Sequence, residues 1–155
     1  FSWLRGRPSN SHAVWILGHC YEHGIGVSVD RSESFRLYKI CADRSFAGGQ
    51  SLVGAHYRDV APKNLSEARR YFKLASDQNF CAAQCCLGKL CLDKGEVDDA
   101  LRYYKAAAEQ GYVHGQSLVA YVYKTHKNDV KSARRYYEKA AAQGDTRSRS
   151  ALNLL

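Results

Sequence analysis

The stretch 13–46 has the clearest pattern of apolar and polar positions in the chain. Apolar or small residues at Ala13, Leu17 and Tyr21 recur at every fourth position, which places them on one face of a helix. Gly24 follows, with a second glycine two residues later, and glycine accepts the left-handed backbone that commonly ends a helix. The pattern therefore predicts an amphipathic helix that ends near Gly24.

A second helix is predicted after this glycine-rich turn. Asp30 can cap its start, because a carboxylate there accepts hydrogen bonds from the unpaired backbone N–H groups of the first turn. The inner face of this helix is predicted to carry Ser34, Leu37, Tyr38, Cys41 and Ala42. The two helices and their turn form one αα-hairpin.

The hairpin is repeated along the chain, and the repeats set the predicted fold. A ten-residue segment from the second helix recurs, with its copies beginning at Leu37, Tyr71, Tyr103 and Tyr136, at intervals of 34, 32 and 33 residues. Periods of about 20–50 residues are typical of stacked repeat architectures. The first helices repeat in the same register, marked by Leu17-Gly18, Val53-Gly54, Leu87-Gly88 and Val119-Ala120. We predict four units, about 11–46, 47–80, 81–112 and 113–145, and a partial unit, 146–155.

Small residues recur in step with these landmarks. In the first helices they are Ala13, Gly49, Ala83 and Gly115, and in the second helices Ser34, Ala68, Ala100 and Ala133. A small residue at each turn lets two helices approach closely, while large neighbours fill the remaining space. The pattern predicts closely packed helix pairs.

The chain is basic, with a formal net charge of +8. Its charges are spread through the helical segments, which is typical of solvated helix faces. Four arginines share one register, just before the aromatic pair of each second helix: Arg36, Arg70, Arg102 and Arg135. Stacked repeats would align them into an arginine ladder able to contact phosphates of RNA or DNA. A basic, nucleic-acid-associated subunit of a larger assembly is therefore an alternative function.

Six cysteines occur at irregular spacing: Cys20, Cys41, Cys81, Cys85, Cys86 and Cys91. Disulfide frameworks belong mostly to small secreted domains that lack a core, and this chain has 155 residues, 45% of them hydrophobic. We predict reduced thiols that pack as small hydrophobes in an intracellular, reducing compartment. Cys91 stands where other repeats have tyrosine, which favours packing over a zinc site.

The chain has no methionine, even at position 1, and we expect it to be part of a larger chain or complex. Residues 1–10 are predicted to be a lead-in or the tail of a preceding helix. No apolar run reaches the roughly 18 residues that a spanning helix needs, so no membrane insertion is predicted.

Two motifs describe the repeat unit. The first half, 13–30, has the pattern A-x-x-x-L-G-x-x-Y-x-x-G-x-G-V-x-x-D, and the second half, A-x-x-x-Y-x-x-A-A-x-Q-G, matches 103–111 and 136–144. Together they resemble the Sel-1-like repeat, a relative of the tetratricopeptide repeat, over about residues 11–155. The resemblance implies an all-α fold: a right-handed α-α superhelix (solenoid) of four helix-turn-helix repeats plus a terminal helix. In such a fold the first helices line a concave groove.

The resemblance also implies a function: a scaffold or adaptor that binds a partner peptide or helix in the groove, without catalysis. The implied groove lining is His12, Trp15, His19, Glu22, Ser51, Arg58, Lys89, His114, Tyr121 and Lys124. Aromatic and cationic side chains are enriched at interface hot spots, and this mixture predicts a protein partner with some acidic character. For Trp15 and Tyr121, core packing remains an alternative.

Two histidines raise the question of a metal site. His19 and His23 stand four residues apart on one helix, and two imidazoles at that spacing can share an ion. A closed site needs further ligands on the same side, and Cys20 points elsewhere on the helix. We therefore predict surface or partner contact for these histidines and no metal site.

Catalytic constellations are lacking. No flanking pattern fixes a nucleophile beside a base, and no glycine-rich phosphate loop follows a strand. Asp98-Asp99 is predicted to cap a helix that begins at Ala100 rather than to act as an acid–base pair. The sequence predicts no enzyme activity, no catalytic residue and no cofactor.

Overall fold

The computed structural model describes residues 10–155, and within that range the chain forms nine α-helices and no β-strand. The helices α1 to α9 span Ser11–His23, Arg31–Asp43, Ala47–Asp59, Leu65–Ser76, Cys81–Asp93, Val97–Glu109, Val113–Thr125, Val130–Ala142 and Thr146–Leu152. The prediction of an all-α repeat fold with a terminal helix is confirmed. The predicted lead-in at residues 1–10 lies outside the described residues, except for Asn10.

The helices belong to two compact units, one ending at Gln78 and the other beginning at Asn79. The first unit contains α1 to α4 and the second contains α5 to α9. Within each unit, every helix packs against the next one along the chain. Each unit has its own buried core, built by the apolar faces of these neighbouring helices.

Capping residues start and end the helices. Asp30 accepts a hydrogen bond from the backbone N–H of Glu33 at 3.0 Å, and Gly24 ends α1 with φ +71°, as predicted. Asn10 caps α1 through the N–H of His12 at 2.9 Å. Further side-chain caps stand before α4, α8 and α9, at Asn64, Asp129 and Asp145.

One predicted helix start is wrong. Helix α6 begins at Val97 rather than Ala100, and Glu96 is its N-cap without a side-chain cap bond. Asp98 and Asp99 lie in its first turn, where a carboxylate still favours the positive end of the helix dipole. The position of an acidic residue near a helix start therefore does not by itself identify the cap.

The predicted inner faces are confirmed in α2 and partly corrected in α1. All five predicted residues of α2 are buried. In α1, Leu17 is buried as predicted, but Ala13 and Tyr21 are only half-buried. The other buried residues of α1 are Val14, Gly18 and Cys20. The packed face is therefore turned from the predicted one: Val14 and Leu17 pack with Leu37 and Cys41, and Gly18 lies against the ring of Tyr38.

Glycines set the close approach within each helix pair. A Cβ added to Gly18 would lie 2.7 Å from Tyr38 Cε1, and one added to Gly88 would lie 2.5 Å from Tyr104 Cε1. Between consecutive repeats, a Cβ at Gly49 would lie 2.5 Å from Cys41 Cβ. These separations are shorter than real side chains allow, so the predicted close packing is confirmed.

Glutamine pairs, each with one buried member, tie the two helices of a repeat together. A glutamine after the second helix donates from its side chain to a buried glutamine in the first helix, at 2.8 to 3.0 Å. The pairs are Gln78 with Gln50, Gln110 with Gln84, and Gln143 with Gln116. The first repeat has Val14 and Arg44 at these positions. A paired side chain satisfies a polar group that would otherwise be costly to bury.

Candidate interaction surface

The predicted contact residues of α1 form a stack of rings. Trp15 lies between His12 and His19, with ring centroids at 5.7 and 5.9 Å and interplanar angles of 23° and 10°. The spacing of three and then four residues puts all three side chains on one face of the helix. We call this set the α1 ring stack. The stacking contacts between these three rings hold the side chains in place.

Trp15 packs into the core, as the core-packing alternative predicts. It is half-buried and packs against the cores of both repeats in the first unit. Its indole Nε1 is buried and has no hydrogen-bond partner among the described residues. The indole ring is therefore held both by packing against the core and by stacking with His12 and His19.

Glu22 is held at the C-terminal end of the same face. Its Oε2 accepts a hydrogen bond from the Tyr38 hydroxyl at 2.7 Å. The same oxygen lies 4.0 Å from His19 Nδ1 and 3.6 Å from His23 Nε2. Side chains from α1 and α2 thus converge on one carboxylate.

The two predicted contact residues of α3, Ser51 and Arg58, are less available to a partner than those of α1. Ser51 is buried, with 9% of its surface exposed. Arg58 pairs with Asp59 at 2.7 Å, and its guanidinium lies 5.6 Å from the centre of the Phe72 ring. Of these two predicted contact residues, Arg58 is the more accessible, and its charge is already partly compensated.

In the second unit the predicted residues are on α5 and α7, two helices in contact. Tyr121 is 46% exposed, so the core-packing alternative is wrong for this residue. His114 and Lys89 are exposed, and Lys89 pairs with Asp93. Lys124 is half-buried. Tyr121 is the exposed aromatic side chain that α7 presents at a predicted contact position.

A cleft of about 460 Å³ lies between α1, α2 and α3. Of the predicted contact residues, Glu22 lines this cleft. The lining also includes His23 and residues that were not predicted as contact residues from the sequence. Among the latter, Phe35 and His56 stack with ring centroids 3.8 Å apart, and burial lowers the pKa of His56. No sequence signal pairs these two residues, because they come from different repeats.

Three of the four arginines of the predicted ladder form an ion pair with an acidic residue on their own helix. Acidic residues three positions earlier bind Arg36 at 2.7 Å, Arg70 at 2.8 Å and Arg102 at 3.0 Å. Hydrogen bonding from Arg70 lowers the pKa of Glu67. In the fourth repeat Ser132 stands at the corresponding position before Arg135. Most of the ladder's charge is therefore compensated on its own helix.

All six cysteines lie within the described residues, and none of them is in a disulfide. Cys91 is 1% exposed in the core of the second unit, so the predicted packing role is confirmed. Burial raises the pKa of Cys41 to about 11 and that of Cys85 to about 12. Such thiols stay protonated at neutral pH and behave as packing groups. Within residues 10–155 no helix combines the length and apolar character needed to cross a bilayer.

Comparison with known families gives one match. The profile of the Sel1 repeat matches the chain four times, at residues 11–45, 49–80, 82–112 and 114–145. No curated protein matches the chain.

Solved structures show the same fold. A Sel1 repeat protein from Oxalobacter formigenes has a TM-score of 0.82 at 27% identity, over 94% of this chain and 61% of that one. A protective antigen present in uropathogenic Escherichia coli strains, with an SLR fold, has a TM-score of 0.80 at 27% identity, over 93% and 33%. An immunity protein from Pseudomonas aeruginosa shares the fold at 23% identity, with a TM-score of 0.68, over 90% and 55%. The chain thus spans less than two thirds of each of these proteins.

Proposed function

Because the chain belongs to the Sel1 repeat family, whose members are generally protein–protein interaction modules, we propose that it is a scaffold or adaptor module. It binds a peptide or helix of a partner protein along the faces of its first helices. The fold of this family is typically non-catalytic, and the proposal assigns no catalytic residue.

The α1 ring stack is the observation that supports this function most directly. Aromatic side chains contribute large contact area, and they lose little conformational entropy on binding when they are already held in place. His12 and His19 are exposed at the two ends of the stack, around the half-buried Trp15. The stack therefore presents a rigid aromatic anchor to a partner.

The charges of the predicted surface favour an acidic partner segment. Lys89, His114 and Lys124 in the second unit and Arg58 in the first are basic, while Glu22 is acidic. The whole chain carries a net charge of +8. Complementary charge raises association rates and selects against basic partners.

We also propose that the module works in a reducing, intracellular compartment. The support is that its six cysteines are thiols, four of them buried as core side chains. Alkylation of the protein in denaturant at the moment of cell lysis, followed by mass measurement without reduction, tests this proposal: six alkylated cysteines are expected, and a disulfide overturns it.

The first experiment identifies the partner and maps its contact. The purified chain captures partners from cell lysate, and titration of each candidate then measures its affinity for variants. Tyr121→Ala is expected to weaken a true partner by about tenfold or more, the effect of losing an interface hot spot. Leu74→Ala is the control, because Leu74 is 40% exposed on α4, a second helix that carries none of the predicted contact residues.

A partner that binds wild type and Tyr121→Ala equally well, while losing affinity for Arg70→Ala, contradicts the proposed surface. Labelled single-stranded RNA tests the nucleic-acid alternative. Phosphate contacts through the four ladder arginines would make RNA affinity fall roughly fiftyfold between 50 and 200 mM salt, because each contact to a single strand contributes about 0.7 to the slope. A salt dependence of this size that becomes weaker when Arg134 and Arg135 are removed would overturn the interaction-module proposal. RNA binding that lacks this salt dependence supports the proposal.

A further inference from the structure

Contrary to the prediction from the sequence, which lacked a third ligand, we propose that His19, Glu22 and His23 form a binding site for a divalent transition-metal ion, with zinc as the expected occupant. Their donor atoms all lie within 4.8 Å of one another. Within residues 10–155, no other group of three or more histidine, cysteine or acidic side chains is arranged to hold an ion.

The helix itself brings the three donors together. Residues at i, i+3 and i+4 share one face, and these three occupy the last turn of α1. Glu22 Oε2 lies 4.0 Å from His19 Nδ1 and 3.6 Å from His23 Nε2. Around a tetrahedral zinc ion, donor atoms stand about 3.3 Å apart when the bonds are about 2.0–2.1 Å. Small rotations of the side chains are therefore enough to close the site.

Those rotations are available, because the three side chains are 40% to 53% exposed. The same exposure gives an ion direct access from solvent. The last turn of a helix also carries the negative end of the helix dipole, which favours a cation at this position.

Neighbouring side chains orient two of the donors. The Tyr38 hydroxyl donates to Glu22 Oε2 at 2.7 Å, and a hydrogen bond of this kind fixes a ligating carboxylate. The Trp15 ring stacks on His19 with an interplanar angle of 10°, which restricts rotation of the imidazole. Carboxylate and imidazole are thus held near each other before any ion arrives.

The donor types select the ion. Two imidazoles with one carboxylate suit zinc and its first-row neighbours, whereas magnesium and calcium prefer sites made only of oxygen. Three protein donors leave a coordination position for water or another ligand. Glu22 and His23 also line the cleft between α1, α2 and α3, which provides space beside the ion. Arg31 and Asp59 line the same cleft, so with Glu22 two carboxylates stand against one guanidinium there.

The experiment uses two probes on the full chain. Isothermal titration with zinc chloride measures affinity and stoichiometry. Nickel chloride, a quenching ion, reports position through tryptophan fluorescence in a Trp3→Phe background, where Trp15 is the remaining tryptophan. We expect one site close to Trp15 in the wild type.

Variants separate ligands from bystanders. His19→Ala, His23→Ala and Glu22→Gln are each expected to weaken zinc binding by at least about tenfold, and Tyr38→Phe by about tenfold through loss of the orienting bond. His12→Ala is the matched control, because His12 also stacks on Trp15 but lies outside the cluster. Circular dichroism confirms that each variant keeps its helices.

Loss of zinc affinity and of Trp15 quenching in the ligand variants, with both retained in His12→Ala, supports the site. Zinc affinity that is equal in wild type, His19→Ala and His23→Ala overturns it, because the ion is then held elsewhere, as by the cysteine thiols. Quenching of Trp15 that persists in His19→Ala and His23→Ala overturns it as well.

Discussion

At the residue scale, Tyr38 and Tyr104 occupy the same position of the repeat but differ in the hydrogen bonding of their hydroxyl groups. Tyr104 is fully buried, and its hydroxyl has no hydrogen-bond partner among the described residues. Tyr38 donates its hydroxyl proton to Glu22. The second repeat has Phe72 here, so the fold accepts a ring without a hydroxyl.

Removing each hydroxyl should therefore have opposite consequences. Tyr104→Phe is expected to leave the free energy of unfolding unchanged or to raise it by about 1 kcal/mol, because an unsatisfied buried group is removed. Tyr38→Phe is expected to lower it by about 1 kcal/mol, because a hydrogen bond to a carboxylate is lost. Urea denaturation of both variants measures the difference, and a larger loss in Tyr104→Phe than in Tyr38→Phe would contradict this account.

His56 makes stability depend on pH. Burial lowers its pKa in the folded state below the ordinary value of 6.5, so the unfolded chain binds its proton first as pH falls. Stability from this group is complete above pH 6.5 and declines below it. The thermal midpoint of the wild type should fall more than that of His56→Phe between about pH 7.5 and about pH 5.5. Equal falls would show that His56 does not cause the dependence.

Carboxylates act in a separate, more acidic window. The pKa values of Asp59 and Asp145 are lowered, the first by its hydrogen bond from Arg58 and the second by its hydrogen bond with Ser148. Their contribution is present above their usual pKa and is lost as pH falls through the lowered values. The two windows keep the His56 measurement distinct from general acid unfolding.

At the element scale, the register position of Gly88 decides how closely α5 and α6 pack. Three repeats have glycine at this position and the fourth has Ala120. Ala120 is fully buried beside Tyr137, which shows that the fourth pair has room for one methyl group.

Gly88→Ala has two opposing effects. Helix propensity favours alanine by about 1 kcal/mol, whereas a Cβ only 2.5 Å from Tyr104 Cε1 forces the ring or the helix to move. We expect the steric effect to win, with a loss of about 1–3 kcal/mol in the free energy of unfolding. Chemical denaturation measures it.

The control for this prediction is Ala120→Gly. It should cost about 0.5–1 kcal/mol from the lost helix propensity, plus the lost methyl packing. A stabilised Gly88→Ala variant would mean that the separation between α5 and α6 can grow freely.

Much of the helix packing is encoded locally in the sequence. The alternation of small and large residues predicted which helices pair, because helix packing repeats with the same period as the sequence. The acidic residue three positions before Arg36, Arg70 and Arg102 was also readable as a helical ion pair. In contrast, the glutamine pairs join residues 26 to 28 positions apart, and no local period reveals them.

At the scale of the whole molecule, the repeats are grouped into two compact units with separate cores. In repeat proteins of this kind, stability is approximately the sum of repeat and neighbour terms. A substitution such as Gly88→Ala therefore acts first on the second unit, and the zinc-site variants act first on the first unit. The net charge of +8 is a property of the whole chain, and the ion pairs of Arg36, Arg70 and Arg102 contribute nothing to it, because each pairs one positive with one negative charge.

By itself, the sequence determined the helices, their order and the four-fold repeat, because helical periodicity and turn residues act over a few positions. Only the tertiary structure decided which polar side chains remain available to a partner. Ser51 is buried by packing, and Glu22 meets Tyr38 from another helix and two histidines from its own. Burial and such convergence depend on how separate helices pack, and no local pattern contains that information.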